Sequence, residues 1–139
     1  MRDLHNNINP TGVAVTANTD NTATVSGIID LQGYGSLEFL IATGTLADAD
    51  ATFTTLVEEG DVANLSDAAA VADGDLLGTE ALASFTFAED DSVFKIGYTG
   101  NKRYVRCTVT PAANTGAAPL AIIPVLGHPN IIPTDNPPA

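Results

Sequence analysis

Apolar and polar residues alternate along most of this 139-residue chain with a period of two, the pattern of strands covered on one face. Residues 22–30 read as one strand, with Ala23, Val25, Gly27 and Ile29 alternating against Thr24, Ser26, Ile28 and Asp30. After the turn Gln32-Gly33-Tyr34-Gly35, Leu37, Phe39 and Ile41 alternate with Glu38, Leu40 and Ala42. Phe53, Thr55 and Val57 give the inward face of a third strand. Phe85 with Phe87, Phe94 with Ile96 and Tyr98, and Val105 with Cys107 and Val109 mark three more. Gly100-Asn101-Lys102 suggests a hairpin between the last two. Leu120, Ile122, Val125 and Leu126 supply a further strand, whose prolines predict an edge or a bulge.

Helix signals are scarce. Asn64 or Ser66 is suited to cap a short turn running through Ala68-Ala69-Ala70-Val71, inside a long connection over residues 60–80. Turn residues recur every ~8–12 positions, and long connections between strands mark Greek-key topology. The expected fold is therefore all-β: an antiparallel β-sandwich, jelly-roll or Greek-key like, of about seven or eight strands. Its domain spans residues 13–126. Residues 1–12 are polar and Asn-rich and read as an N-terminal arm. Residues 127–139 carry Pro129, Pro133, Pro137 and Pro138 around Ile131 and Ile132 and read as an extended C-terminal arm, the isoleucines pinned on a neighbouring subunit.

Composition narrows the function. Seventeen acids against five bases give a net charge of −12, which argues against nucleic acid and anionic membranes as partners. No apolar run reaches the ~18–20 residues of a membrane helix, and the N-terminus lacks the apolar core of a secretory signal. The expectation is a protein made and kept in a cytoplasm until it is assembled. The single Cys107 excludes an intramolecular disulfide and alternates with Val105 and Val109 as a small buried hydrophobe.

Candidate chemistry is thin. His5 and His128 lie in opposite arms with no acid-and-nucleophile grouping beside either. The acidic runs Asp48-Ala49-Asp50, Glu58-Glu59-Gly60-Asp61 and Asp73-Gly74-Asp75 invite calcium, but none has the spacing of an EF-hand loop. They read as a solvated rim. No nucleophile elbow, phosphate loop or zinc motif occurs, so no catalytic, cofactor or metal residue is assigned. The bases cluster: Lys95, Lys102, Arg103 and Arg106 fall within twelve residues, while twelve of the seventeen acids lie between Asp48 and Asp91. This polarity fits a charge-complementary contact with a partner or another copy, and equally a solvated strand face.

Three stretches carry a resemblance. Gly33-Tyr34-Gly35-Ser36-Leu37-Glu38-Phe39, the run from Thr43 to Phe53 with Leu56-Val57-Glu58-Glu59-Gly60-Asp61, and the segment Lys95 to Arg106 resemble structural proteins of tailed phages and prophages. The comparison covers about residues 22–110, and its members include capsid decoration (cement) proteins. The resemblance implies a non-enzymatic virion protein bound to the outer surface of a shell of phage major capsid protein. It also implies a homotrimer without cofactors, made in a host bacterial cytoplasm. Partner contacts are expected at Lys95, Lys102, Arg103, Arg106, Ile131 and Ile132. The rival readings are another virion component, at the head–tail junction or in the tail, and a carbohydrate-binding β-sandwich for host-surface recognition.

Overall fold

In the computed structural model, which describes residues 2–135, the alternation from Leu37 to Thr43 puts Leu37, Phe39, Ile41 and Thr43 inside and Glu38, Leu40 and Ala42 outside. The same period-two rule builds the rest. The strands are β1 (Ile8–Pro10), β2 (Ala14–Asn18), β3 (Thr24–Val25), β4 (Ile29–Asp30), β5 (Tyr34–Thr43), β6 (Thr52–Gly60), β7 (Ala69–Ala70) and β8 (Leu76–Leu77). A one-turn helix α1 (Glu80–Ala83) precedes β9 (Phe85–Thr86), β10 (Val93–Tyr98), β11 (Tyr104–Ala112) and β12 (Ala118–Pro129). They form two antiparallel sheets. The first has the order β1-β12-β5-β10-β8, with β2 also on β12; the second has β3-β11-β6-β7, with β4 on β11 and β9 on β6. This is the expected antiparallel β-sandwich, with twelve strands among the described residues where about seven or eight were expected, because five of them are only two residues long.

The core lies between the sheets. Phe39, Ile41, Ile96 and Ile122 from the first face Phe53, Val57, Val105 and Val109 from the second, each at most 1% exposed. Three aromatic rings bridge the layers: Phe85 stacks on Phe53 with centroids 4.8 Å apart and on Phe94 at 5.1 Å. At another point Tyr98 donates its hydroxyl hydrogen to the Glu59 carboxylate across the layers and accepts from the Lys102 amide at 3.0 Å. Burial and the adjacent carboxylate push the Tyr98 phenol above its usual range.

Several local expectations change. The segment 22–30 is not one strand. Val25 lies opposite Thr108 and Ile29 opposite Val105, so four steps on one strand match three on the other: a β-bulge. Before the bulge Thr24 and Ser26 point inward and Val25 outward; after it Ile29 turns inward. Gly27 belongs there because a Cβ would stand 2.9 Å from the Gly12 Cα, whose own φ is +64°. Gly100-Asn101-Lys102 joins β10 in one sheet to β11 in the other, so it is a corner between layers, not a hairpin.

The helix also moves. It lies at Glu80–Ala83, where Thr79 accepts a hydrogen bond from the Leu82 amide at 3.1 Å, while residues 69–70 are a strand. Strand β12 is not an edge, since it has β5 on one side and β1 and β2 on the other. Pro124 is tolerated because its carbonyl accepts from Thr11 at 3.0 Å, so its missing donor faces the gap between β1 and β2. The ends of the domain take part in the sheet. Ile8–Pro10 pair with Val125–Gly127, and the amide and hydroxyl of Thr134 reach the carbonyls of Asn6 and Ile8 at 3.2 and 2.7 Å. Pro137 and Pro138 lie outside the described residues.

Candidate docking face

The two sheets turn very different outer faces to solvent. On the second sheet the outward positions are mostly polar: Thr52, Thr54, Thr108 and Thr110, with Glu58 beside Arg106, while Leu56 and Val25 flank Thr108 as exposed apolar residues. Threonine suits a solvated strand face, because its branched carbon fits the pleat and its hydroxyl meets water.

On the first sheet the outward positions are mostly apolar, with Ser36, Glu38 and Lys95 among them. The registers order them in rows across the strands. In one row Val15, Ala121, Ala42 and Val93 lie side by side. In the next, Ile123 and Leu40 lead to Lys95. In a third, Pro10 and Val125 lead through Glu38 and Gly97 to Leu77. Val15 is 73% exposed, Val93 68% and Leu77 60%. The only charges in these rows are Glu38 and Lys95.

Residues at both alternate positions are therefore apolar over residues 39–42 of β5 and 120–126 of β12, the pattern of strands covered on both faces. A contiguous apolar patch of this kind on a folded domain marks a contact surface. The sequence carried a signal for it: the nearly unbroken apolar runs Phe39-Leu40-Ile41-Ala42 and Leu120-Ala121-Ile122-Ile123. Leu40, Ala121, Ile123 and Val125 were not among the expected contact residues.

A depression of about 660 Å³ crosses this face at the Ser36 and Glu38 rows, with Arg2, Asp3, Leu4, Asn7 and Ile8 contributing to its lining. Ser36 and His128 meet within it, hydroxyl to Nδ1, at 2.8 Å. Glu38 lies over Gly97, where a Cβ would come 2.7 Å from its carboxylate, and partial burial raises its carboxyl above the usual range while Lys95 offsets this.

The expected basic cluster divides between the sheets. Arg106 Nε reaches Glu58 at 2.8 Å, Arg103 holds Asp30 through two 2.8 Å hydrogen bonds and stacks on Tyr104, and Lys102 pairs with Asp61. Three of the four bases are thus neutralised within the chain. Lys95 alone of the four stands on the first sheet's outer face, and it makes no ion pair among the described residues. Ile131 and Ile132 follow β12 and are 83% and 58% exposed.

Of the acids that suggested calcium, Glu58, Glu59 and Asp61 are held by Arg106, Tyr98 and Lys102, and Asp48 by a neighbouring loop. Asp48 accepts from the Thr115 amide and hydroxyl, the Gly116 amide and the Asp50 amide, at 2.7 to 3.1 Å. These hydrogen bonds hold its carboxyl well below the usual range. Among the described residues no three metal-ligating side chains converge. Cys107 is fully buried, and desolvation pushes its thiol up to about 12.

No family model matches the chain, and no curated protein does. Among solved structures it is similar to the CBM22-1 and GH10 modules of endo-1,4-beta-D-xylanase 10B from Clostridium thermocellum, complexed with xylohexaose. That match has 12% identity and a TM-score of 0.43, covering 95% of this chain and 28% of that one. It is also similar to the CBM22-1 xylan-binding domain of Paenibacillus barcinonensis Xyn10C, at 12% identity and a TM-score of 0.41, covering 87% and 86% of the two chains. Likeness at this level carries nothing about ligand or role.

Proposed function

We propose that this protein is a non-enzymatic component of a protein assembly, joining it through the outer face of the first sheet. The observation that carries the reading is that face: rows of Val, Leu, Ile, Ala and Pro across the strands, with Glu38 and Lys95 the only charges in the rows and Arg2 and Asp3 at the margin of the depression. Leaving such a surface in water costs roughly 25 cal/mol per Å² relative to covering it. The resemblance to phage decoration proteins supports a virion as the setting, with a shell of coat protein as the larger partner. Of the acids from Asp48 to Asp91, Glu58, Glu59 and Asp61 belong to or follow β6 of the second sheet and would help keep the outward side of the assembly soluble.

The test is co-sedimentation with shells assembled from the coat protein encoded nearest to this chain, followed by imaging of the particles. Saturable binding abolished by Ile123→Glu supports the role; no binding to any such shell overturns the virion setting.

A second reading, carbohydrate binding, is favoured by the depression and its polar groups, Ser36, Glu38, Asn7 and His128. The aromatic ring in its lining, Tyr98, is only 3% exposed, so it offers little stacking surface to a sugar. Titration with xylo-oligosaccharides and a glycan panel decides it. Binding lost in Glu38→Ala would replace the assembly reading with this one.

A further inference from the structure

We infer that the outer face of the first sheet is closed by a second copy of this chain, the two sheets packing face to face about a two-fold axis. The inference rests on reading this face as covered within an assembly, and it names what covers it. Two features of the face select a like surface.

The first is size and chemistry. Three to five strand positions at ~4.8 Å, depending on the row, and the outward residues of β5 from Ser36 to Ala42 at ~3.3 Å per residue span roughly 400 Å² in projection. Side-chain relief brings the accessible area toward the ~800 Å² that each partner buries in a stable interface. The rows of Val, Leu, Ile, Ala and Pro match what sheets present when they pack at ~10 Å, as in the core of a sandwich. Packing a face on its own copy is isologous and closes at two. That count differs from the trimer implied by the phage resemblance.

The second is charge. Glu38 and Lys95 lie on neighbouring strands, Lys95 opposite Leu40 and Glu38 opposite Gly97, so they are diagonal neighbours ~7–8 Å apart at the backbone. Neither makes an ion pair among the described residues. They are of opposite sign, and no other strand residue in the rows is charged; Arg2 and Asp3 border the depression at the Glu38 row. Consider a two-fold axis lying in the interface, midway between them and perpendicular to the line joining them. It sets Glu38 of each copy against Lys95 of the other, making two reciprocal pairs amid apolar rows. A partner of unrelated surface would have to supply both charges in the same diagonal; the chain itself already does. The carboxyl of Glu38 is raised by burial even in one copy, and an apposed ammonium relieves that cost.

The experiment is sedimentation velocity on the full chain across a concentration series, with the variants Glu38→Lys and Lys95→Glu. The wild type should sediment as a dimer. Each single variant places like charges across the interface twice and should weaken dimerisation by about 10-fold or more. Mixing the two variants should restore a dimer, since one copy then carries acids at 38 and 95 and the other bases. The double variant should dimerise alone.

Rescue on mixing also excludes misfolding as the cause of the single-variant defect. A wild type that stays monomeric overturns the inference, as does a dimer indifferent to both variants. The shell-binding test is separate: a monomer that binds shells through this face keeps the assembly reading and ends the dimer. A charge-sensitive dimer that binds no shell keeps the dimer and ends the virion setting.

Discussion

Phe85→Ala offers a direct measure of how the two sheets are held together. Phe85 is 4% exposed and is the middle ring of three, stacked at 4.8 Å on Phe53 of its own sheet and at 5.1 Å on Phe94 of the other. Truncation removes the ring's buried area and leaves a cavity, which for a buried phenylalanine costs about 3–5 kcal/mol. Two aromatic contacts at ~0.5–1.5 kcal/mol each are part of that sum. Strand β9 is only two residues long, so it has few hydrogen bonds with which to hold its place once the ring is gone.

Against a total stability of ~5–15 kcal/mol for a domain of this kind, the loss is large. Equilibrium unfolding in urea, followed by far-ultraviolet circular dichroism, is the assay; the midpoint should fall with the slope unchanged. Phe85→Leu keeps most of the volume and should cost roughly half as much or less. A loss under about 1.5 kcal/mol for Phe85→Ala would refute the argument that this stack joins the layers, because the site would then be collapsing freely or filled by a neighbour.

Two further outcomes follow from named groups. The hydrogen bonds that Asp48 accepts from Thr115, Gly116 and Asp50 depress its carboxyl in the folded state. Its contribution is therefore present above the unfolded value near pH ~4 and is lost as pH falls through the folded one, so Asp48→Asn should flatten the acid side of the melting-temperature profile. An unchanged profile would show that the loop from Asn114 to Gly116 does not depend on this carboxylate. Cys107, fully buried with its thiol raised to about 12, should react with a disulfide reagent only at the rate of unfolding and at once in denaturant. Rapid labelling of the native protein would mean that β11 opens locally.

The alternation of Leu37, Phe39 and Ile41, of Phe94, Ile96 and Tyr98, and of Val105, Cys107 and Val109 determined on its own which side chains enter the core, because a strand has only two faces and water sorts them. It also determined the all-β class, since nothing longer than a turn carries a helical period. What it left undecided depends on partners distant in the chain. The outward phase of Val25 and inward phase of Ile29 depend on a bulge that only pairing with β11 creates. The position of α1 had a local signal, Thr79 ahead of Glu80, that competed with the alanines at 68–70; pairing with β6 drew Ala69 and Ala70 into a strand.

The basic residues look like one cluster in the sequence, yet the corner between β10 and β11 sends Lys95 to one sheet and Arg106 to the other. Acids 41 to 73 residues away from their partners then neutralise Lys102, Arg103 and Arg106. The candidate docking face was half legible. Continuous apolar runs in β5 and β12 announce strands covered on both sides, but a run does not say which strands lie next to one another. Only the sheet order sets Leu40 between Ile123 and Lys95, and Ala42 between Ala121 and Val93, and so turns separate apolar positions into one surface. Hydrogen bonding across strands joins residues ~50–80 positions apart, and that long-range pairing is what local patterning cannot encode.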